Sequence, residues 1–306
     1  MRGVSALCGA VSLAAFTALA GGNIAWISFH QGDNQPSTAA AARGFTQAPD
    51  AGYTQLLTAN GYSVTRFLTT DNPPQSLIDT LNTFDLIIIS RSVSSAHYQQ
   101  SNETYAWNTA ITKPVMILGG YVLRDNRLGY VTGNTIPDTT GDIRLLVEQP
   151  AHPIFNGIQL DQNNITVNPY ATIVTAIIDG TNSVQRGISV PTDPLDGGGT
   201  ILARIAPADA GPVGGTRMII AEWPAGATLT PSDGGARNEI LGGRRLVFLT
   251  GSRERDGVTA EVAGIFDLIG DGPQLFLNAV AYMIPEPSTA ALLLLGGLPL
   301  LFLRRR

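Results

Sequence analysis

Cysteine is nearly absent. Of 306 residues only Cys8 carries a thiol, and it lies in a leading segment whose pattern predicts removal. A mature chain without thiols excludes disulfide staples, thiolate zinc sites and a cysteine nucleophile together. Lysine is scarce as well: Lys113 is the one lysine among 19 basic residues, and charged residues make up only 14% of the chain. Setting aside Arg2 and three terminal arginines takes the 19 basic residues to 15, against 24 acidic ones, a balance of −9. So acidic a body excludes a nucleic-acid partner, whose phosphates demand a basic face. There are three histidines and no HExxH spacing, so no metal site is predicted. The Asp-Gly loops lack the alternating ligands of a calcium loop. No cofactor is implied. What remains is 44% hydrophobic, enough for a folded body with a sizeable core.

Both ends carry patterns of their own. The first reads MRGVSALCGAVSLAAFTALAGG: a basic start at Arg2, an apolar run, then Ala18-Leu19-Ala20. Small residues at −3 and −1 complete the three-part form of a secretory signal, with cleavage by signal peptidase after Ala20. The last reads IPEPSTAALLLLGGLPLLFLRRR. Residues 290–303 are uncharged and end at Arg304, Arg305 and Arg306. As a helix they rise about 1.5 Å each, roughly 21 Å in all, short of a ~30 Å hydrocarbon core. Local thinning and snorkelling of the arginines let such a segment span, with the arginines inside and the body outside.

Pro285-Glu286-Pro287, a short hydrophobic segment and a terminal basic cluster together resemble the PEP-CTERM sorting signal of Gram-negative bacteria. The resemblance implies a transient inner-membrane anchor, cut near Pro-Glu-Pro by an exosortase, and release to the cell surface or outside. It also implies a setting in which exopolysaccharide is secreted. Three segments follow: a signal peptide over 1–20, a body over 21–284 and a sorting tail over 285–306.

Within the body, apolar runs alternate with amphipathic ones. Strands are predicted at 24–29, 63–67, 85–90 and 115–118, and helices at 50–60 (capped by Asp50), 73–82 and 103–111. Strand and helix in alternation predict an α/β fold, a doubly wound and mainly parallel sheet. Beyond Tyr130 the helices give way to strands at 200–205, 218–223 and 245–250, joined by glycine-rich turns. These predict an antiparallel β extension of the same domain, closed by a helix at 273–283.

FDLIIISRSV at 84–93, PVMILGG at 114–120, HPIFNGI at 152–158 and the pair RMIIAEW and RRLVFLTG resemble the class I glutamine amidotransferase-like superfamily, in particular its ThuA-like members. The resemblance implies a flavodoxin-like sheet, with a nucleophilic cysteine at an elbow after the strand at 115–118. This chain has Gly119-Gly120 there. No catalytic residue is assigned, and activity is not expected. Ligands of open parallel sheets bind beyond the carboxyl ends of the strands. That places His30, Asp33, Arg91, His97, Tyr121 and Arg124 on one rim, suited to a glycan or other polar ligand. The alternative is an extracytoplasmic hydrolase acting on sugars. It would use Ser90 or Ser92 with His97, or a metal held by His30, Asp33 and either His97 or His152.

The two end patterns predict the intact mass of the protein recovered from its native envelope and medium. It begins at Gly21 and ends near Pro287. A mass that retains Arg306 in every fraction would make the tail a permanent anchor.

Overall fold

Short apolar runs, each ended by polar or glycine residues, build one eight-stranded sheet. In the computed structural model they are β1 (Asn23–Ser28), β2 (Ser63–Leu68), β3 (Leu86–Ile89), β4 (Val115–Ile117), β5 (Leu145–Val147), β6 (Thr200–Ile205), β7 (Met218–Trp223) and β8 (Arg245–Phe248). The described residues are 21–284, except 140, 173, 185–186, 211–214 and 233–237. Ala18, Ala20 and the tail with Pro285, Glu286, Pro287, Arg304, Arg305 and Arg306 lie outside them. Among the described residues no helix is long and apolar enough to cross a membrane.

The sheet runs β2-β1-β3-β4-β8-β7-β6-β5. β2, β1, β3, β4 and β8 are mutually parallel, and β7, β6 and β5 continue antiparallel. Every residue of β3, β4 and β8 is buried, as strands covered on both faces must be. The antiparallel extension is present, with one correction. The strand at 245–248 is antiparallel to β7, with Arg245 opposite Trp223, but on its other side it lies parallel to β4, with Arg245 opposite Val115 and Val247 opposite Ile117. An edge-to-centre return of this kind leaves no mark in local periodicity.

The helices are α1 (Thr38–Ala42), α2 (Ala51–Ala59), α3 (Gln75–Leu81), α4 (Ser101–Tyr105) and α5 (Gly272–Met283). In α2, Tyr53 and Leu57 stand one turn apart and are buried, the spacing of a core-facing stripe. The helix ends before Gly61, whose φ of +86° is the left-handed conformation that glycine tolerates. α5 starts with Pro273 in its first turn and buries Leu275, Phe276, Ala279, Val280 and Met283. Phe276 meets Tyr53 with ring centroids 5.5 Å apart, so α2 and α5 share a face of the sheet. The chain order reverses direction at β1, and right-handed crossovers then carry α3 and α4 to the other face.

The predicted helix at 103–111 is two pieces. α4 passes into a π-helical turn, Ala106–Ala110, closed by a bond of 3.0 Å from the Ile111 N–H to the Ala106 carbonyl. Arg245 sits against this turn. This fully buried guanidinium donates through Nη2 to the carbonyls of Trp107 (3.1 Å), Asn108 (3.0 Å) and Ile111 (2.7 Å), and through Nη1 to that of Lys113 (2.9 Å). Carbonyls at a helix C-terminus carry partial negative charge, so they solvate a buried cation well. One contiguous core then runs from Ile24 to Met283 across both halves of the sheet.

Candidate functional site

Parallel strands share one carboxyl edge, and here β1, β3, β4 and β8 all contribute to it. β3 delivers Ser90, Arg91 and Ser92. β4 delivers Gly119, Gly120 and the short 3₁₀ turn Gly120–Leu123 that carries Tyr121. β8 delivers Thr250, Gly251, Arg253 and Glu254. The structure divides the six rim residues named from sequence among four places, the last of them that of His30.

The first holds Arg91, Tyr121 and Arg124. Three guanidiniums surround the Tyr121 ring, with Cζ of Arg124, Arg253 and Arg91 at 4.3, 4.7 and 5.5 Å from its centroid. Arg91 is 6% exposed, and its Nη2 lies 3.3 Å from Glu254 Oε2. Arg253 donates to Asp138 at 2.7 Å and stands 3.6 Å from Glu254. Burial lowers the Arg91 pKa, with Glu254 opposing and Arg253 adding to the fall. Beside the ring is a cavity of about 210 Å³, lined by Arg91, Tyr121, Arg253, Glu254, Ser94 and Ser95 among others. Arg253 and Glu254 do not figure in the rim read from sequence, because their strand was read as antiparallel.

The second holds Asp33. Its carboxylate accepts from Thr54 Oγ1 and from Arg66 Nε, both at 2.7 Å. Arg66 also reaches Asp50 at 2.9 Å. Asp50 takes Trp26 Nε1 at 2.9 Å and Ser28 Oγ at 2.8 Å, and makes no helix cap. This buried carboxylate therefore ties β1, β2 and the start of α2 together, in place of the predicted capping role. A cavity of about 220 Å³ adjoins Asp33 and Arg66.

The third holds His97, bonded to Thr69 Oγ1 at 2.9 Å and 3.5 Å from Asp71. His152 stands apart from all of these, packed 4.5 Å from the Tyr282 ring and 3.6 Å from Glu222. Among the described residues no group of three His, Cys, Asp or Glu is placed to hold a metal. The metal variant of the hydrolase reading therefore has no assembled site there.

His30 is fully buried and pairs with Ser92, its Nε2 3.0 Å from Ser92 Oγ. The serine variant named His97 as the base, so the histidine is different, and the proton is on the wrong atom. The Ser37 N–H donates to His30 Nδ1 at 3.0 Å, so the neutral ring carries its hydrogen on Nε2 and donates it to Ser92. A general base would need Nε2 free to accept. Ser90 accepts from the Ser92 N–H at 3.0 Å. Both serines are fully buried.

The elbow after β4 is equally unsuited to a nucleophile. Gly119 is extended, at φ −103° and ψ 127°. A Cβ on Gly120 would lie 2.2 Å from the Ser189 carbonyl oxygen, so no side chain fits there. The loop after β8 is held by a buried carboxylate. Asp267 accepts from Tyr53 and Thr250 hydroxyls at 2.7 Å and from the Gly251 N–H at 3.1 Å. Burial raises the pKa of this carboxyl. Among the described residues, Ser90 and Ser92 are not set against a histidine nitrogen free to accept their protons.

No family model matches the sequence, and no curated protein matches it. Among the solved structures that align with the chain are two of bacterial proteins. One is a cytoplasmic protein from Salmonella typhimurium, 11% identical, covering 86% of this chain and 99% of its own, with a TM-score of 0.45. The other, from Bacteroides uniformis, is described as ThuA-like; it is 12% identical, covers 87% and 92%, and has a TM-score of 0.43.

The neutral His30 makes a pH prediction. Burial lowers its pKa from 6.5, with Asp50 opposing the shift and Arg66 adding to it. Below pH 6.5 the unfolded chain binds a proton that the folded chain refuses, so stability present above that pH falls as pH drops toward the folded value. The slope contributed is at most about 1.4 kcal/mol per pH unit. Urea unfolding at pH 7 and pH 5 will show a smaller stability loss for His30→Gln than for the parent chain. Equal losses would mean that His30 is protonated in the folded state.

Proposed function

We propose that this is an exported protein, sorted by its carboxyl tail to the cell surface or matrix, whose α/β body holds a polar ligand without turning it over. The ligand class that best suits the setting is a glycan of the secreted exopolysaccharide. The sorting part rests on the two terminal sequence patterns. The ligand part rests on one observation: a cavity at the carboxyl edge of the parallel strands, lined by Arg91, Arg253, Ser94 and Ser95 beside Tyr121. Ligands of open parallel sheets are held at this edge. The filled elbow at Gly120 and the Nε2–H tautomer of His30 support a body that binds and does not hydrolyse. An amidotransferase-like, ThuA-like ancestry is compatible with this reading, since a fold carries no activity without its site.

The hydrolase alternative draws on the Ser92–His30 contact and makes the opposite forecast. Incubated with oligosaccharides cut from the native exopolysaccharide, the protein will retain them without generating new reducing ends. Retention will fall at least tenfold in Tyr121→Ala. Release of reducing ends that stops in Ser92→Ala would replace this proposal with the hydrolase.

A further inference from the structure

The cavity beside Tyr121 concentrates charge against the trend of the molecule. A body with a balance of −9 places three guanidiniums around one ring. Mutual repulsion and desolvation make such a cluster costly unless something negative completes it. Two carboxylates do part of that. Asp138 holds Arg253 at 2.7 Å. Glu254 sits 3.3 Å from Arg91, longer than the 2.7–2.9 Å or so of a strong charge-assisted bond. The balance of the cluster is one positive charge.

The unused donors belong to the same residues. Nε of Arg91, Arg124 and Arg253 is buried, and each is without a hydrogen-bond partner. Arg91 is more than nine-tenths buried and lines the cavity. Buried donors in native proteins are nearly always paired, and Arg91 and Arg253 line the cavity, where an acceptor would complete them. Arg124 makes no hydrogen bond to any described residue through its guanidinium. Its Cζ lies 4.3 Å from the Tyr121 centroid, a cation–π contact that orients the planar fork. The stacked guanidiniums also occupy the Tyr121 ring, which turns recognition from stacking toward charge. Ser94 and Ser95 line the same cavity. At about 210 Å³ the cavity is smaller than the roughly 300–1,000 Å³ of pockets for drug-sized ligands. One sugar ring or a small acid is the right size.

We infer that the Arg91–Arg253 cavity beside Tyr121 binds the carboxylate of an acidic sugar, a uronate residue. The guanidiniums take the acid group, while Glu254, Ser94 and Ser95 meet ring hydroxyls. This rests on the glycan-binding reading and narrows it to acidic glycans.

The test compares D-glucuronate with D-glucuronamide, a neutral analogue of the same shape, by calorimetric titration of the folded protein. Glucuronate binds saturably, at least tenfold more tightly than the amide, and its affinity falls as salt rises. Arg253→Gln lowers glucuronate affinity by a further tenfold or more. Should that variant fail to fold, Ser94→Ala with Ser95→Ala locates the site by a smaller loss. Equal affinity for acid and amide overturns the inference but leaves glycan binding standing. So does failure of glucuronate to bind while exopolysaccharide fragments are still retained. Acetate binding as tightly as glucuronate would uphold the anion site and remove the sugar from the reading.

Discussion

The buried guanidinium of Arg245 is the constraint on which the rest of the structure depends. It starts β8, the strand that joins the parallel half of the sheet to the antiparallel half. Its fork gathers carbonyls from the end of the π-helical turn and from the segment that leads into β4. Each carbonyl left without a donor in the core would cost about 1–3 kcal/mol. The register of β8 against β4, Arg245 opposite Val115, is therefore fixed at the amino edge of the sheet. Fixing it there sets the opposite edge too. Tyr121, four residues beyond β4, comes to rest beside Arg253, five residues beyond β8.

Two further buried carboxylates stiffen that edge. Asp50 draws Trp26, Ser28 and Arg66 together beneath the β1 loop. Asp267 gathers Tyr53, Thr250 and Gly251 under the loop after β8. In each case a polar network is satisfied by partners from distant parts of the chain, which specifies one arrangement of the loops. The residues that reach the cavity stand on this support. The cavity is held in shape by the fold itself, so a ligand bound there would meet little ordering cost.

Much of the fold was legible because burial imposes periodicity. The continuous run at 86–89, the stripe of Tyr53 and Leu57, and the closing helix with Leu275, Phe276 and Val280 announced themselves locally. What was illegible depends on contacts between distant residues. Nothing around Arg245 reveals that its strand runs parallel, so Arg253 and Glu254 were left off the rim. Nothing around Asp50 distinguishes a helix cap from a ligand for Trp26 and Arg66, and the acidic side chain took the stronger partners. The hairpin Thr175–Ile178 with Thr181–Val184 is a different case. Its turn, Asp179-Gly180 with φ of 53° and 73°, follows a signal present in the sequence: an Asp-Gly pair between two β-prone stretches, Ile177-Ile178 before it and Thr181 after it. The site was half legible. Arg91, Tyr121 and Arg124 do come together, whereas His30, Asp33 and His97 are each engaged elsewhere.

The central claim is that the edge beside Tyr121 binds a ligand and performs no chemistry on it. Amide chemical-shift mapping of the protein during titration with its native exopolysaccharide tests this most directly, with chain length of the polysaccharide followed in the same tube. The expected result is shifts concentrated at residues 91–95, 121–124 and 251–254, and an unchanged chain length. Shifts centred on Asp33 and Arg66, or steady shortening of the polysaccharide, would contradict it.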